Sequence, residues 1–189
     1  CMPDRLLLGS KLYDLKVNMA GQKISLEPYG GHLSRMSLQV EPERLLLHGR
    51  AGKNWIAAFR PGKELMLPPD EYKLLSYQLV RKDQSGGEWE LTAQGVYGRP
   101  GVSVGAGTTA LMSFGEPYVP RAEIPVWSWN VLRGGGSCKL SFALRGVQNE
   151  YVSNLCRVSD GKSSQYEMSK LNRIYLKEAA YRVFASDGR

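Results

Sequence analysis

The chain has 189 residues, 42% of them hydrophobic and 23% charged, enough for one large or two small domains whose core needs no disulfide or metal staple. No run approaches about 18 consecutive apolar residues, so no helical membrane span is expected. The net charge of +7 invites a polyanion reading, but Lys139, Arg145, Arg157 and Arg173 stand singly along the chain, with no dense basic run; the pattern fits at most a weak polyanion surface, and specific nucleic-acid readout is not supported.

At the start, Cys1 sits where a mature bacterial lipoprotein would begin, yet Arg5-Leu6-Leu7-Leu8 already reads as structure, not as a polar tether. No charged start precedes an apolar stretch and a small-residue cleavage site, so no signal peptide is expected. Alternation with period two then dominates, as in half-buried strands. Tyr13, Leu15 and Val17 alternate with Leu12, Asp14 and Lys16. A turn over 19–22 leads back through Ile24 and Leu26, which predicts a hairpin. Met36, Leu38 and Val40 repeat the pattern. The short runs Leu45-Leu46-Leu47 and Trp55 to Phe59 are expected to be strands buried on both faces.

Leu65-Met66-Leu67 is a strand stopped by Pro68 and Pro69, which cannot donate to a ladder. In the strand that follows, Tyr72 and Leu74 share one face, then Leu75, Tyr77 and Leu79 do. The phase slips at Leu74-Leu75, which predicts a β-bulge there. Asp83 to Gly87 turns the chain into Trp89, Leu91 and Ala93, expected inside, with Glu90, Thr92 and Gln94 outside. Trp55 and Trp89 are both assigned to the core. A glycine-rich bend over 101–107 precedes a strand near 108–114.

All ten prolines lie at or before Pro125, and the basic excess moves into the remainder of the chain. These shifts divide the chain near 117–125, into a β-sandwich unit over 1–117 and a second over 118–189. In the second, Cys138 to Arg145 is expected to pair with Tyr151 to Val158, with Leu144 facing Tyr151 and Leu140 facing Leu155. Near the end, Ser164 to Glu167 matches a capping box, and Met168, Leu171 and Tyr175 keep helical spacing, so one helix is expected over about 165–180. Asp187-Gly188 is a hairpin-turn pair, and the chain is expected to stop partway through a hairpin. The fold class expected is therefore all-β, tandem antiparallel β-sandwich units with at most that one helix.

Several motifs imitate chemistry. Gly101-Val102-Ser103-Val104-Gly105 matches the hydrolase elbow, which needs a helix after the serine; a β-patterned run follows instead. The two candidate bases, His32 and His48, both precede Ser103, against the hydrolase order. Gly105 to Ala110 resembles a dinucleotide-binding turn but leaves no room for the phosphate-binding helix. Gly161-Lys162-Ser163 resembles the end of a phosphate loop, yet Cys156 stands where its first glycine belongs. The His and Cys residues lack metal-ligand spacing, and the acidic residues never form a calcium loop. No catalytic residue, metal or cofactor is assigned.

Cys138 and Cys156 flank the predicted hairpin. In the expected register Cys156 falls opposite Lys139, on the other face from Cys138, which disfavours a disulfide unless a bulge intervenes. A bridge and two buried free thiols both stay open, the thiols favoured. Trp127 and Trp129 fall on one face of any strand. They either seal the seam between the two units, the favoured reading, or stack on sugar rings as a carbohydrate-binding surface.

Lys11 to Val17 through Leu26-Glu27-Pro28, Leu67-Pro68-Pro69-Asp70-Glu71-Tyr72-Lys73-Leu74, Thr108 to Pro117 and Leu140 to Gly146 together resemble secreted or envelope proteins of planctomycete-type bacteria. Those carry tandem immunoglobulin-like or transthyretin-like modules. The Leu67 to Tyr72 piece is similar to carboxypeptidase-regulatory-like modules, with Asp70 where those have Gly. The resemblance implies an extracytoplasmic location and a non-catalytic accessory or adhesive role, with partners among envelope components or other domains of the same polypeptide. A sheet edge that recruits partners by strand addition would suit such a role.

Overall fold

The computed structural model describes residues 3–18, 23–50, 54–123, 141–159 and 162–166. Those residues form fifteen strands and no helix. The first seven are β1 (Arg5–Leu8), β2 (Lys11–Val17), β3 (Ile24–Pro28), β4 (Ser34–Leu38), β5 (Arg44–Gly49), β6 (Trp55–Phe59) and β7 (Glu64–Leu67). The long β8 (Asp70–Lys82) and β9 (Glu88–Gln94) follow, then β10 (Val102–Val104) and β11 (Thr109–Met112). Last come β12 (Val119–Glu123), β13 (Ser141–Arg145), β14 (Tyr151–Ser159) and β15 (Lys162–Tyr166). Among the described residues no helix is long and apolar enough to cross a membrane.

The molecule is all-β and sandwich-like. A large sheet runs in the order β12-β13-β14-β9-β8-β5-β6-β1-β2-β3, with β10 beside β8 and β15 beside β14. A small sheet, β11-β4-β7, lies over it. Both sheets are mixed: β1 runs parallel to β6, and β11 parallel to β4, while the other pairs are antiparallel. Among the described strands, neither sheet closes into a barrel.

Alternation explains the core. Met36 and Leu38 of β4, Leu65 and Leu67 of β7 and Met112 of β11 point from the small sheet into one cluster. From the large sheet Leu7, Leu45, Leu47, Ile56, Ala58, Tyr72, Tyr77, Leu79, Ala93 and Val152 meet them. Burying each large aliphatic side chain here contributes roughly 1.5–3 kcal/mol before conformational entropy is counted.

The predicted bulge is present. β5 pairs Leu46 with Ser76 and then Leu47 with Leu74, leaving Leu75 as the extra residue of β8. Without it Tyr72 and Tyr77, five residues apart, could not both face the core.

Four expectations are corrected. β5 and β6 are buried on one face only, because the small sheet covers one side of the large sheet and leaves Leu46, Ala57 and Phe59 toward solvent. Trp55 accordingly lies on that solvent side against His48, ring centroids 4.8 Å apart, and not in the core. Gln165 and Tyr166, predicted to open a helix, end strand β15, because their backbones pair with Cys156 and Leu155; residues 167–180 lie outside the described residues. Finally, Arg145, not Leu144, faces Tyr151. Among the described residues β13 pairs with β14 only at that end, and from Leu155 onward β14 is paired with β15.

Strands on both sides of the division expected at 117–125 belong to one sheet. β14 pairs with β9 from Tyr151–Gln94 to Val158–Glu88, with a bulge at Ser153 whose hydroxyl donates to the Thr92 carbonyl at 3.2 Å.

Candidate functional site

The face of the large sheet that no described strand covers carries a trough. Its floor is a row of short or flat cross-strand neighbours, Ala57 on β6, Leu46 on β5 and Ser76 on β8. One wall is the next row, in which Phe59, Arg44, Gln78 and Thr92 stand side by side across β6, β5, β8 and β9. On the other side of the floor follow Trp55, His48 and Lys73. Between that wall and floor lies an open depression of about 390 Å³. It crosses four strands, a length of about 14 Å at ordinary strand spacing.

Chemically the wall is mixed. Phe59 is 40% exposed and offers a flat apolar face. The Arg44 guanidinium sits 5.7 Å from its ring centroid, within cation–π range. Gln78 supplies an amide that both donates and accepts, Thr92 a hydroxyl, and Glu90 a carboxylate at the far end of the lining. An aromatic platform beside convergent polar groups suits an extended, polar, partly apolar ligand lying across the strands.

Sequence reasoning missed this set, because it treated Trp55 to Phe59 as buried on both faces. The signal was present: reading the run with strict alternation puts Trp55, Ala57 and Phe59 on one face and Ile56 and Ala58 on the other.

The residues singled out from sequence fall elsewhere. Trp127, Trp129 and Cys138 lie outside the described residues. Cys156 is a buried free thiol, with Glu90 and Gln165 as its cross-strand neighbours; it accepts from Asn154 Nδ2 at 3.1 Å. Ser103 is exposed in the middle of β10, opposite Glu71. The chain after it makes the predicted turn, Thr108 N–H donating to the Gly105 carbonyl at 3.4 Å, and enters β11. His48 is on the solvent face beside the trough, and His32 is exposed in the loop before β4. Trp89, expected inside, stands at the sheet end, where its indole N–H donates to Asp83 at 2.9 Å. Among the described residues no three His, Cys, Asp or Glu side chains gather where a metal ion could sit.

Near β10, Glu71 is held below the ordinary carboxylate range, first by the Gly101 N–H at 3.0 Å and then by Arg50 at 2.8 Å. This pairing pins the glycine-rich bend to β8. Gly95 allows the preceding crossing, since a Cβ there would come within 1.9 Å of the Leu74 carbonyl oxygen.

No protein-family model, curated protein or solved structure matches this chain.

Proposed function

We propose that the chain is a non-catalytic interaction module of a secreted or envelope protein, and that it engages its partner through the trough on the open face of the large sheet. The observation that carries this reading is the wall of Phe59, Arg44, Gln78 and Thr92 above the Ala57–Leu46–Ser76 floor. It combines a flat ring and a guanidinium, residue types enriched at interfaces, with uncharged groups that donate and accept hydrogen bonds. The extracytoplasmic placement rests on the resemblance of the strand motifs alone.

A photo-crosslinking residue at Gln78 tests the reading in cells that make the full-length protein, with the same residue at Arg35 on the small sheet as control. A discrete adduct from position 78 only, reduced about tenfold by Arg44→Ala, is the expected result. Equal labelling from both positions, or no effect of Arg44→Ala, removes the trough from the account.

A second reading, carbohydrate binding, is favoured by the exposure of Phe59 beside Gln78, Thr92 and Glu90, an arrangement that can stack a sugar ring and bond its hydroxyls. Trp127 and Trp129, which share one face of any strand, are separate sequence candidates for stacking on a sugar ring. Affinity electrophoresis through polysaccharide gels separates the readings. Retention lost in Phe59→Ala, or in Trp127→Ala and Trp129→Ala, supports sugar binding, and retention unchanged in all three ends it.

A further inference from the structure

Independently of the trough, we infer that two copies of this chain associate by antiparallel pairing of strand β3 with itself, about a twofold axis at Ser25. β3 ends the large sheet, and among the described residues no strand pairs with its outer edge. Natural edges of this kind are normally blunted, because their unpaired N–H and C=O groups template further pairing.

Three observations point to a second copy as the occupant. The first is hydrogen-bond phase. Asn18 N–H donates to the Lys23 carbonyl and Tyr29 N–H to the Leu12 carbonyl, at 3.1 and 2.9 Å. Alternation along an antiparallel ladder then turns the backbone groups of Lys23, Ser25 and Glu27 toward β2, and those of Ile24 and Leu26 outward. Pairing Ile24 with Leu26 of a second copy joins outward groups to outward groups and closes four hydrogen bonds across the twofold. A shift of one strand period would instead set Ile24 opposite Pro28, which has no N–H to give.

The second is charge. Lys23-Ile24-Ser25-Leu26-Glu27 reads as complementary to itself when reversed. In the register centred on Ser25, each Lys23 faces Glu27 of the other copy. Within one chain Glu27 stands directly opposite Asp14; Arg5 holds Asp14 at 2.7 Å and Lys16 holds Glu27 at 2.5 Å. Lys23 of the second copy adds a second cation to Glu27.

The third is the apolar side of the hairpin. Val17 pairs with Ile24 and Leu15 with Leu26 on one face, yet Ile24 is 61% exposed and Val17 and Leu26 each 41%. In the dimer these pairs extend across the axis into two rows of four apolar side chains. An isologous contact of this kind closes on itself and does not propagate into a fibre.

Sedimentation equilibrium on the full chain, from about 10 μM to about 1 mM, tests the inference. The expected result is a monomer–dimer equilibrium that Lys23→Glu weakens about tenfold or more, and that Lys23→Glu combined with Glu27→Lys restores in large part. Circular dichroism controls for folding. A second variant needs no charge argument: at a non-hydrogen-bonded pair the two Ser25 Cα atoms stand about 4.5 Å apart, within disulfide range. Ser25→Cys should give a covalent dimer in mild oxidant well above that of the unsubstituted chain, and Ile24→Cys should not. A chain that stays monomeric to about 1 mM, a dimer indifferent to Lys23→Glu, or equal cross-linking at 24 and 25 overturns the inference.

Discussion

Glu150 is 1% exposed, and its carboxylate is satisfied by two backbone donors. Gly115 N–H reaches Oε1 at 2.9 Å and Gln148 N–H reaches Oε2 at 2.8 Å. The side chain thereby ties the β13–β14 turn to the segment after β11, helped by Asn149, whose φ of 68° suits a residue tolerant of the left-handed region. Glu150→Ala leaves the buried Gly115 N–H and the half-buried Gln148 N–H without an acceptor. It should cost about 2–4 kcal/mol, seen as a lower urea midpoint at unchanged slope. Close by, burial pushes the Tyr118 hydroxyl up to about 12, and Tyr77, bonded to it at 3.2 Å, is also raised. In the unfolded chain both ionise near the ordinary value of 10.0. The folded state therefore keeps protons that the unfolded state has lost. Stability should be flat below about pH 10 and fall as pH climbs toward about 12, a fall that melts across that window should show and that Tyr118→Phe should lessen. Asp83 is the reverse case. Bonds from Ser85, Trp89 and Gly87 hold its carboxyl well below 3.8. Its contribution is present above that value and is lost as pH falls through the depressed one. A carboxyl titration by NMR should place the Asp83 midpoint well below 3.8, and the Trp89 indole N–H should shift with it.

At the scale of elements, the bulge at Leu75 decides which side chains of β8 enter the core. Deleting Leu75 would restore an unbroken ladder but turn either Tyr72 or Tyr77 to solvent. The deletion variant should therefore lose its cooperative thermal transition, whereas Leu75→Ala, which keeps the extra residue, should retain it. The bulge was readable from sequence because two apolar residues in succession break a period of two. The β13–β14 register was not. Apolar pairing favoured Leu144 opposite Tyr151, but the turn over Gly146 to Glu150 sets Arg145 there, and Arg145 packs its guanidinium 5.1 Å from the Tyr151 ring centroid. A one-residue difference of this kind changes every facing pair while leaving the strand pattern unchanged.

Over the whole molecule, β14 against β9 joins strands as far apart in sequence as β1 and β15 in the large sheet. Val152 belongs to the same buried cluster as Leu47 and Met36. Continuous pairing and a shared core predict one cooperative unit across the described strands, so calorimetry should show one transition and Val152→Ala should lower the same midpoint that Leu47→Ala lowers. Two transitions responding separately to the two substitutions would mark the ends of the sheet as independent. The shift in proline and charge near 117–125 is local in sequence and carries no information about whether a later strand returns to pair with an earlier one.

Strand character, the β2–β3 hairpin, the β8 bulge and the turns at 83–87 and 105–108 follow from the sequence alone, because each depends on neighbours a few residues apart and on the two-residue period of a strand. The trough and the fate of Trp55 do not, since they depend on which face the small sheet covers. That choice is made by β4, β7 and β11 converging from three distant stretches of chain. Covering one face turns Ile56 and Ala58 into core and leaves Ala57 and Phe59 as surface. Likewise the strand ending at Tyr166 exists because β14 presents a free edge to it, a long-range pairing that outweighs a local helix signal.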